Sequence, residues 1–203
     1  MTVRSVQVIF RARLIYSKRG GACFVPHIAL AQIFARSASR AGFSLEMTQG
    51  FSPRPRLSFG PELPAGVVAL NEPLDIYFAQ PYPDIITHMN DALPEGFALS
   101  QVWLVPENSP SLGKSCTHAE YFLRSSIDLA DLAKNFYGEN LILSEKLDDW
   151  LRIVIAGVAQ NPIGGFVKSL IREELLQGWH QINIVRIAVG SFDQKEGRVI
   201  MNA

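Results

Sequence analysis

Apolar residues along the chain follow two rhythms, and the places where one gives way to the other mark its elements. Residues 6–16, VQVIFRARLIY, are β-branched and aromatic enough for a strand, and SKRGGA then turns. Residues 27–41, HIALAQIFARSASRA, set Leu30, Ile33, Phe34, Ser37, Ala38 and Ala41 along one helical stripe. Pro26 suits the first helical position and Gly42 the C′ position, which brackets that helix. FSLEMT (43–48) reads as a second strand, PLDIYFA (73–79) as a third, YPDIITHMNDAL (82–93) as a helix and FALSQVWLV (97–105) as a fourth strand. The order is β-α-β-β-α-β, the ferredoxin-like pattern.

PENSPSLGKS, 106–115, is polar and broken by Pro and Gly, and reads as a linker. Beyond it the same pattern returns. AEYFLRSS is a strand, DLADLAKNFY a helix, LILS a weak strand, DWLRIVIA a strand, GGFVKSLIREELLQ a helix and INIVRIAVG a strand. The tail, SFDQKEGRVIMNA, is a short hairpin or a frayed end. The expected fold is therefore α+β, with two tandem ferredoxin-like (βαββαβ) domains at 1–105 and 116–203 joined by 106–115. No identity links the halves, so the repeat is one of architecture.

Composition narrows the function classes. The chain has 203 residues and is 48% apolar, enough for a real core. Cys23 and Cys116 form no metal-spaced pair and read as small buried thiols of a reducing compartment. The first apolar stretch carries Arg4, Arg11 and Arg13, unlike a signal peptide, and no apolar run is long enough for a membrane span. A cytoplasmic protein with no membrane partner is expected. The zero net charge hides a split: residues 1–70 hold nine Lys/Arg against Glu46 and Glu62, an excess of +7 that leaves −7 for the rest. Such asymmetry suits contact between one half and a polyanion, or charge pairing between the halves.

The densest unusual stretch is MTQGFSPRPRLSFGPELPAGV, residues 47–67, with three Gly, four Pro, two Arg and two Phe. Proline donates nothing to a sheet ladder, so the segment should not run through the middle of a sheet. A helix opening at His27, followed by Gln49, Gly50, Phe51, Pro53, Pro55, Arg56, Leu57, Ser58 and Phe59 and then by Leu63, Pro64, Gly66 and Val67, resembles the radical SAM-linked domain family, DUF2344. The resemblance covers residues 5–105, with a looser match in the NIVRIAVG strand. It implies a neighbour or fusion partner that is a radical SAM protein or a ribonuclease G-type enzyme, with no settled activity of its own. Two departures stand out. The family's Ser-His-Leu-Asp reads Pro26-His27-Ile28-Ala29 here, without the carboxylate, and its Phe-Asn-Pro-His-Pro reads Phe51-Ser52-Pro53-Arg54-Pro55.

Pro53 and Pro55 fix two φ angles and bias Ser52 and Arg54 to extended conformations. Alternation along such a chain sends Arg54 and Arg56 to one side, about 6–7 Å apart, near the spacing of neighbouring phosphates. Arg forks suit phosphates, and Phe51 and Phe59 could stack on unpaired bases or else plug the core. Arg36 and Arg40 share a helix face, and Lys18 and Arg19 lie in the turn before it. Gln49, Gly50, Pro53, Pro55, Ser58, Pro64 and Gly66 are assigned as structural residues of the motif.

His27 is the candidate catalyst, a general base at a helix start where the macrodipole disfavours its charged form, or else a packing residue. His88, His118 and His180 are scattered and are assigned as structural or exposed. Gly164 and Gly165 offer a weak anion-site signal that Asn161 and Pro162 explain as a helix cap. Asp148 and Asp149 fit a solvated strand entry better than a metal site. No motif asks for a cofactor or metal, and the CxxxCxxC triplet of a radical SAM enzyme is absent. Three functions follow: an RNA-binding accessory module for a separate radical SAM or RNA-processing enzyme, a metal-independent endoribonuclease using His27, or a protein–protein scaffold. The first makes the protein a non-enzyme.

Overall fold

The computed structural model describes residues 10–201, and it is an α+β chain built on one large, mostly antiparallel sheet. Strand β1 (Phe10–Lys18) leads through a 3-10 turn into α1 (His27–Arg40), followed by β2 (Leu57–Phe59), β3 (Val68–Phe78), α2 (Ile85–Ala92) and β4 (Phe97–Val105). A single-turn helix, α3 (Leu112–Ser115), precedes β5 (His118–Ser125), α4 (Ala130–Tyr137), β6 (Leu141–Leu147), β7 (Trp150–Ala156), α5 (Ile163–Arg172), β8 (Ile182–Asp193) and β9 (Arg198–Ile200). The sheet runs β4-β1-β3-β8-β5-β7-β6, with β2 on β3 and β9 on β8. Counted from its own first strand, each half has the order 4-1-3-2 with antiparallel neighbours.

The sequence places the second strand wrongly. Residues 43–48 make only two isolated bridges, Leu45 to Phe78 and Met47 to Pro55, and the strand is Leu57–Phe59, inside the proline-rich segment. Its shortness has a cause. One edge of β3 is shared: β2 takes Leu74–Ile76 and β8 takes Val68 and Ala69. The first-strand expectation at residues 6–9 lies outside the described residues. The tail resolves into the β8–β9 hairpin, up to residue 201.

Two apolar cores lie on the helical side of the sheet. Leu14, Tyr16, Leu30, Phe34, Leu74 and Ile76 centre the first, and Tyr121, Ile153, Ile155, Phe166, Val167 and Val189 centre the second. The second core also takes Leu63, Val67 and Ala69 from the first half and Leu112 from the expected linker. On the opposite face, residues 107–110 strap the sheet through their carbonyls. Asp75, fully buried, accepts from Arg11 Nε at 3.1 Å and Arg13 Nε at 2.9 Å, and Arg11 also donates to Ser109 O at 2.6 Å. Both guanidiniums reach Pro110 O, at 2.9 and 3.0 Å.

In the sheet, the described residues of the two halves are joined by two parallel register pairs, Val68 to Val185 and Ala69 to Arg186. Beside them sits a buried ion pair. Arg186 Nε donates to Glu72 Oε1 at 2.6 Å and its Nη2 to Glu72 Oε2, and the other donors go to Pro61 O at 3.0 Å and Glu62 O at 3.3 Å. Burial works against the Arg186 charge, and Glu72 and Tyr121 outweigh it, so the guanidinium stays cationic. Removing one partner strands a charge out of water. Glu72→Ala or Arg186→Ala should therefore cost about 3–5 kcal/mol in urea unfolding, while Glu72→Leu with Arg186→Met costs clearly less than either single change. Equal losses in all three would show that packing, not charge, holds the junction.

Candidate nucleic-acid interface

The interface candidates begin at α1 and the 47–67 segment. Pro26 is the cap of α1 rather than its first helical residue, and His27 is the first. Gly42, at φ +80°, closes the far end in the left-handed conformation that favours glycine. Residues 47–55 form a pinned projection. Met47 bridges Pro55, Thr48 N donates to Arg54 O at 2.8 Å, and Arg54 N donates to Thr48 Oγ1 at 3.0 Å. Gln49–Pro53 are all exposed at its tip, and Phe51 is as open as a free side chain, at 110%.

Half of the eight described cations in residues 1–70 are withdrawn into internal pairs. Arg11 and Arg13 are bound to Asp75 and to strap carbonyls. Lys18, assigned above to nucleic acid, is buried and donates to Val25 O at 3.3 Å; burial lowers its pKa. It has no surface to offer a phosphate. Arg56 is withdrawn as well. Its guanidinium lies 3.8 Å from the Tyr77 ring centroid and its Nη1 donates to Glu107 Oε1 at 2.9 Å, so the expected Arg54/Arg56 phosphate pair is split. The alternation argument failed because Arg56 is already in the sheet: its N–H bonds Glu46 O and its C=O accepts from Tyr77 N.

Phe59 is likewise a core residue, not a stacking platform. It packs 6.4 Å from Tyr16, 5.9 Å from Phe34 and 5.7 Å from His27, centroid to centroid. Among the described residues, those that remain outside are Arg19, Arg36, Arg40 and Arg54, all exposed. Arg40 is tethered, donating to Ala92 O at 2.6 Å and Ser37 Oγ at 2.9 Å. Arg54 makes no side-chain ion pair among the described residues. Ala35, Arg36, Ser39, Arg40 and Pro55 line one shallow depression of about 380 Å³, which joins the exposed face of α1 to the base of the projection. Arg36 and Arg40 thus meet the base of the projection at Pro55, the neighbour of Arg54 in the chain, and Phe51 lies further out along the same loop.

Of the motif's other residues, Gln49, Gly50 (φ +140°) and Pro53 build the tip, and Pro55 its base. Ser58 sits in β2, opposite Asp75. Gly66 takes the left-handed region at φ +88° and its N–H bonds Cys23 O at 2.8 Å. Pro64 explains Gly164: a Cβ there would sit 3.2 Å from Pro64 Cγ, so the glycine serves a close approach between the halves.

The DUF2344 family model, described as an uncharacterized protein conserved in bacteria, matches residues 11–153. The chain belongs to the DUF2344 family. No curated protein matches this DUF2344 chain in sequence. Among solved structures it is similar to the small subunit of acetolactate synthase from Thermotoga maritima, at 14% identity over 90% of this chain and 94% of that one, with a TM-score of 0.28.

His27 is half-buried, edge-on to Phe59, and makes no hydrogen bond to a carboxylate among the described residues. Burial lowers its pKa, with Glu62 opposing. Both cysteines are buried and free, and burial pushes the Cys116 thiol up to about 12. Asp148 and Asp149 form the two-residue turn of the β6–β7 hairpin, Asp148 at φ +50°. Among the described residues no His/Cys/Asp/Glu group could hold a metal, and no helix is long and apolar enough to cross a membrane. Sequence reasoning missed Glu72, Asp75 and Arg186. The available signal was a lone charge of either sign inside strongly apolar strands, which implies burial with a partner.

Two outcomes test this geometry. Phe51→Ala should leave thermal stability unchanged, whereas Phe59→Ala should cost about 2–3 kcal/mol, below the full-core range because Phe59 keeps some exposure. For His27, the unfolded chain binds its proton before the folded one, so its contribution to stability is whole above about pH 6.5 and is lost as pH falls toward the folded pKa. A proton NMR titration should place the imidazole midpoint below the ordinary value, and a midpoint above it would contradict the burial reading.

Proposed function

We propose that this protein is an RNA-binding accessory module made of two ferredoxin-like units side by side, and that its ligand is single-stranded. The observation that carries the reading is Phe51, fully exposed at the tip of a proline-braced projection whose base meets Arg36 and Arg40 and includes Arg54. An exposed Phe gains nothing by packing, and a ring held above cations is the combination that binds unpaired bases along a phosphate backbone. The braced loop loses little entropy on contact. In this reading the module serves a separately encoded enzyme, with a radical SAM protein or a ribonuclease G-type nuclease as the partner that the family resemblance implies. Catalysis by His27 fits less well, because the imidazole is packed on Phe59 and no carboxylate orients it.

Fluorescence anisotropy with labelled oligoribonucleotides at low salt tests the proposal. Single strands should bind better than duplexes, and Phe51→Ala should weaken binding about tenfold or more, from a stacking contribution of about 1–3 kcal/mol per base. Arg36→Ala and Arg54→Ala should each lower the slope of log affinity against log salt by about 0.7. Undetectable binding at low salt, or full affinity in Phe51→Ala, would reject it. RNA cleavage by the purified protein that vanishes in His27→Ala would move the function to the nuclease.

A further inference from the structure

The sheet ends on two unlike strands. Among the described residues, β4 and β6 each have a neighbour on one side only. The outer strand β6 carries Glu145 and Lys146 and is exposed over most of its length, the usual protection of an open edge. By contrast β4 has no charged residue in Phe97–Val105. Its first half is sealed by a side chain: Asn90 Oδ1 accepts from Leu99 N at 2.7 Å and Asn90 Nδ2 donates to Leu99 O at 3.0 Å. Its last residue is followed by Pro106, which has no N–H to continue a ladder. Between these stops lies an open frame, Gln101–Val105.

That frame borders an apolar groove of about 210 Å³ lined by Tyr82, Asp84, Ile85, Ile86, Val102 and Leu104. Leu104 is 65% exposed at its rim. Val102 and Leu104 stand opposite Leu14 and Ala12 of β1, so both face the helical side of the sheet.

We propose that Gln101–Val105 is a self-association edge, which pairs antiparallel with the same segment of a second copy of this chain about a two-fold axis at Trp103. The frame is symmetric about that residue. In this pairing Leu104 of each copy stands beside Val102 of the other, on the same face, and each exposed leucine enters the groove beside the partner's Val102. Because the strand is uncharged, self-pairing opposes no like charges, whereas β6 could not pair with itself so freely. Asn90 and Pro106 bias the register, the first by occupying both ladder groups of Leu99 and the second by bringing no N–H after Val105.

Sedimentation velocity across a wide concentration range should show a reversible monomer–dimer equilibrium, weakened about tenfold or more by Leu104→Glu, which puts a charge into each groove. The position is exposed, so the fold survives the change. Trp103→Cys gives a second readout. Facing residues in an antiparallel pair lie about 4.5–5.5 Å apart at Cα, within disulfide reach, so mild oxidation should yield a covalent dimer. The native cysteines are buried and supply no background. Ser100→Cys, whose two copies would be about 20 Å apart, should not crosslink. A monomer at every concentration, a dimer indifferent to Leu104→Glu, or equal crosslinking at 100 and 103 would each overturn the proposal.

Discussion

The buried contact between Arg186 and Glu72 constrains most of what surrounds it. Two charges taken from water are tolerated only when every donor and acceptor is met, and Glu72 alone cannot satisfy a five-donor guanidinium. The carbonyls of Pro61 and Glu62 take two more bonds and the Tyr121 hydroxyl meets the group as well, which fixes the 60–66 loop over the junction of β3 and β8. From there the loop sets Pro64 against Gly164, delivers Leu63 and Val67 to the second core, and leaves Phe59 to close the first. A sheet joined by two register pairs gains its rigidity from this side-chain lock more than from its backbone ladder.

The same logic sorts the positive charge of the first seventy residues. Cations on strand β1 face a sheet surface that is covered, so they are paired: Arg11 and Arg13 share Asp75 and the strap, and Lys18 finds a carbonyl. Cations on the outer face of α1 and on the projection have no such cover. The excess of +7 therefore overstates the basic surface: among the described residues the exposed cations of this segment are Arg36, Arg40 and Arg54, with Arg19 apart. Their grouping follows from packing, since Pro55 at the projection's base abuts the α1 face that bears Arg36 and Arg40.

Element types were readable wherever apolar periodicity ran long. Helix α1 and strands β3, β4 and β8 follow from pattern and capping chemistry, whereas Asp148 and Asp149, read as a strand entry, form the turn of the β6–β7 hairpin. The second strand did not, because FSLEMT has strand composition but makes only isolated bridges, while Leu57–Phe59 is short and hidden among prolines. Arg54 was legible as an exposed cation, and Phe51 as either tip or plug. Phe59 and Arg56 were not legible, since a Phe or Arg in the same motif can face core or solvent according to what lies across the sheet. Lys18 was misread for a similar reason: the turn-like sequence SKRGG overlaps the last two strand positions, Ser17 and Lys18.

By itself, then, the sequence determined local matters: periodicities of 2 and 3.6, caps and breakers, the stiffness of a proline-rich loop and the repeated order of elements. These depend on neighbours a few residues apart, and the chain carries them wherever it goes. Tertiary structure alone decided which charges face water, because pairs such as Arg186 with Glu72 or Arg56 with Glu107 join residues 114 and 51 positions apart. It also decided that the two halves share one sheet and that β4 and β6 lie at its edges. Strand adjacency is set by burial and hydrogen bonding across space, and no pattern along the chain encodes it.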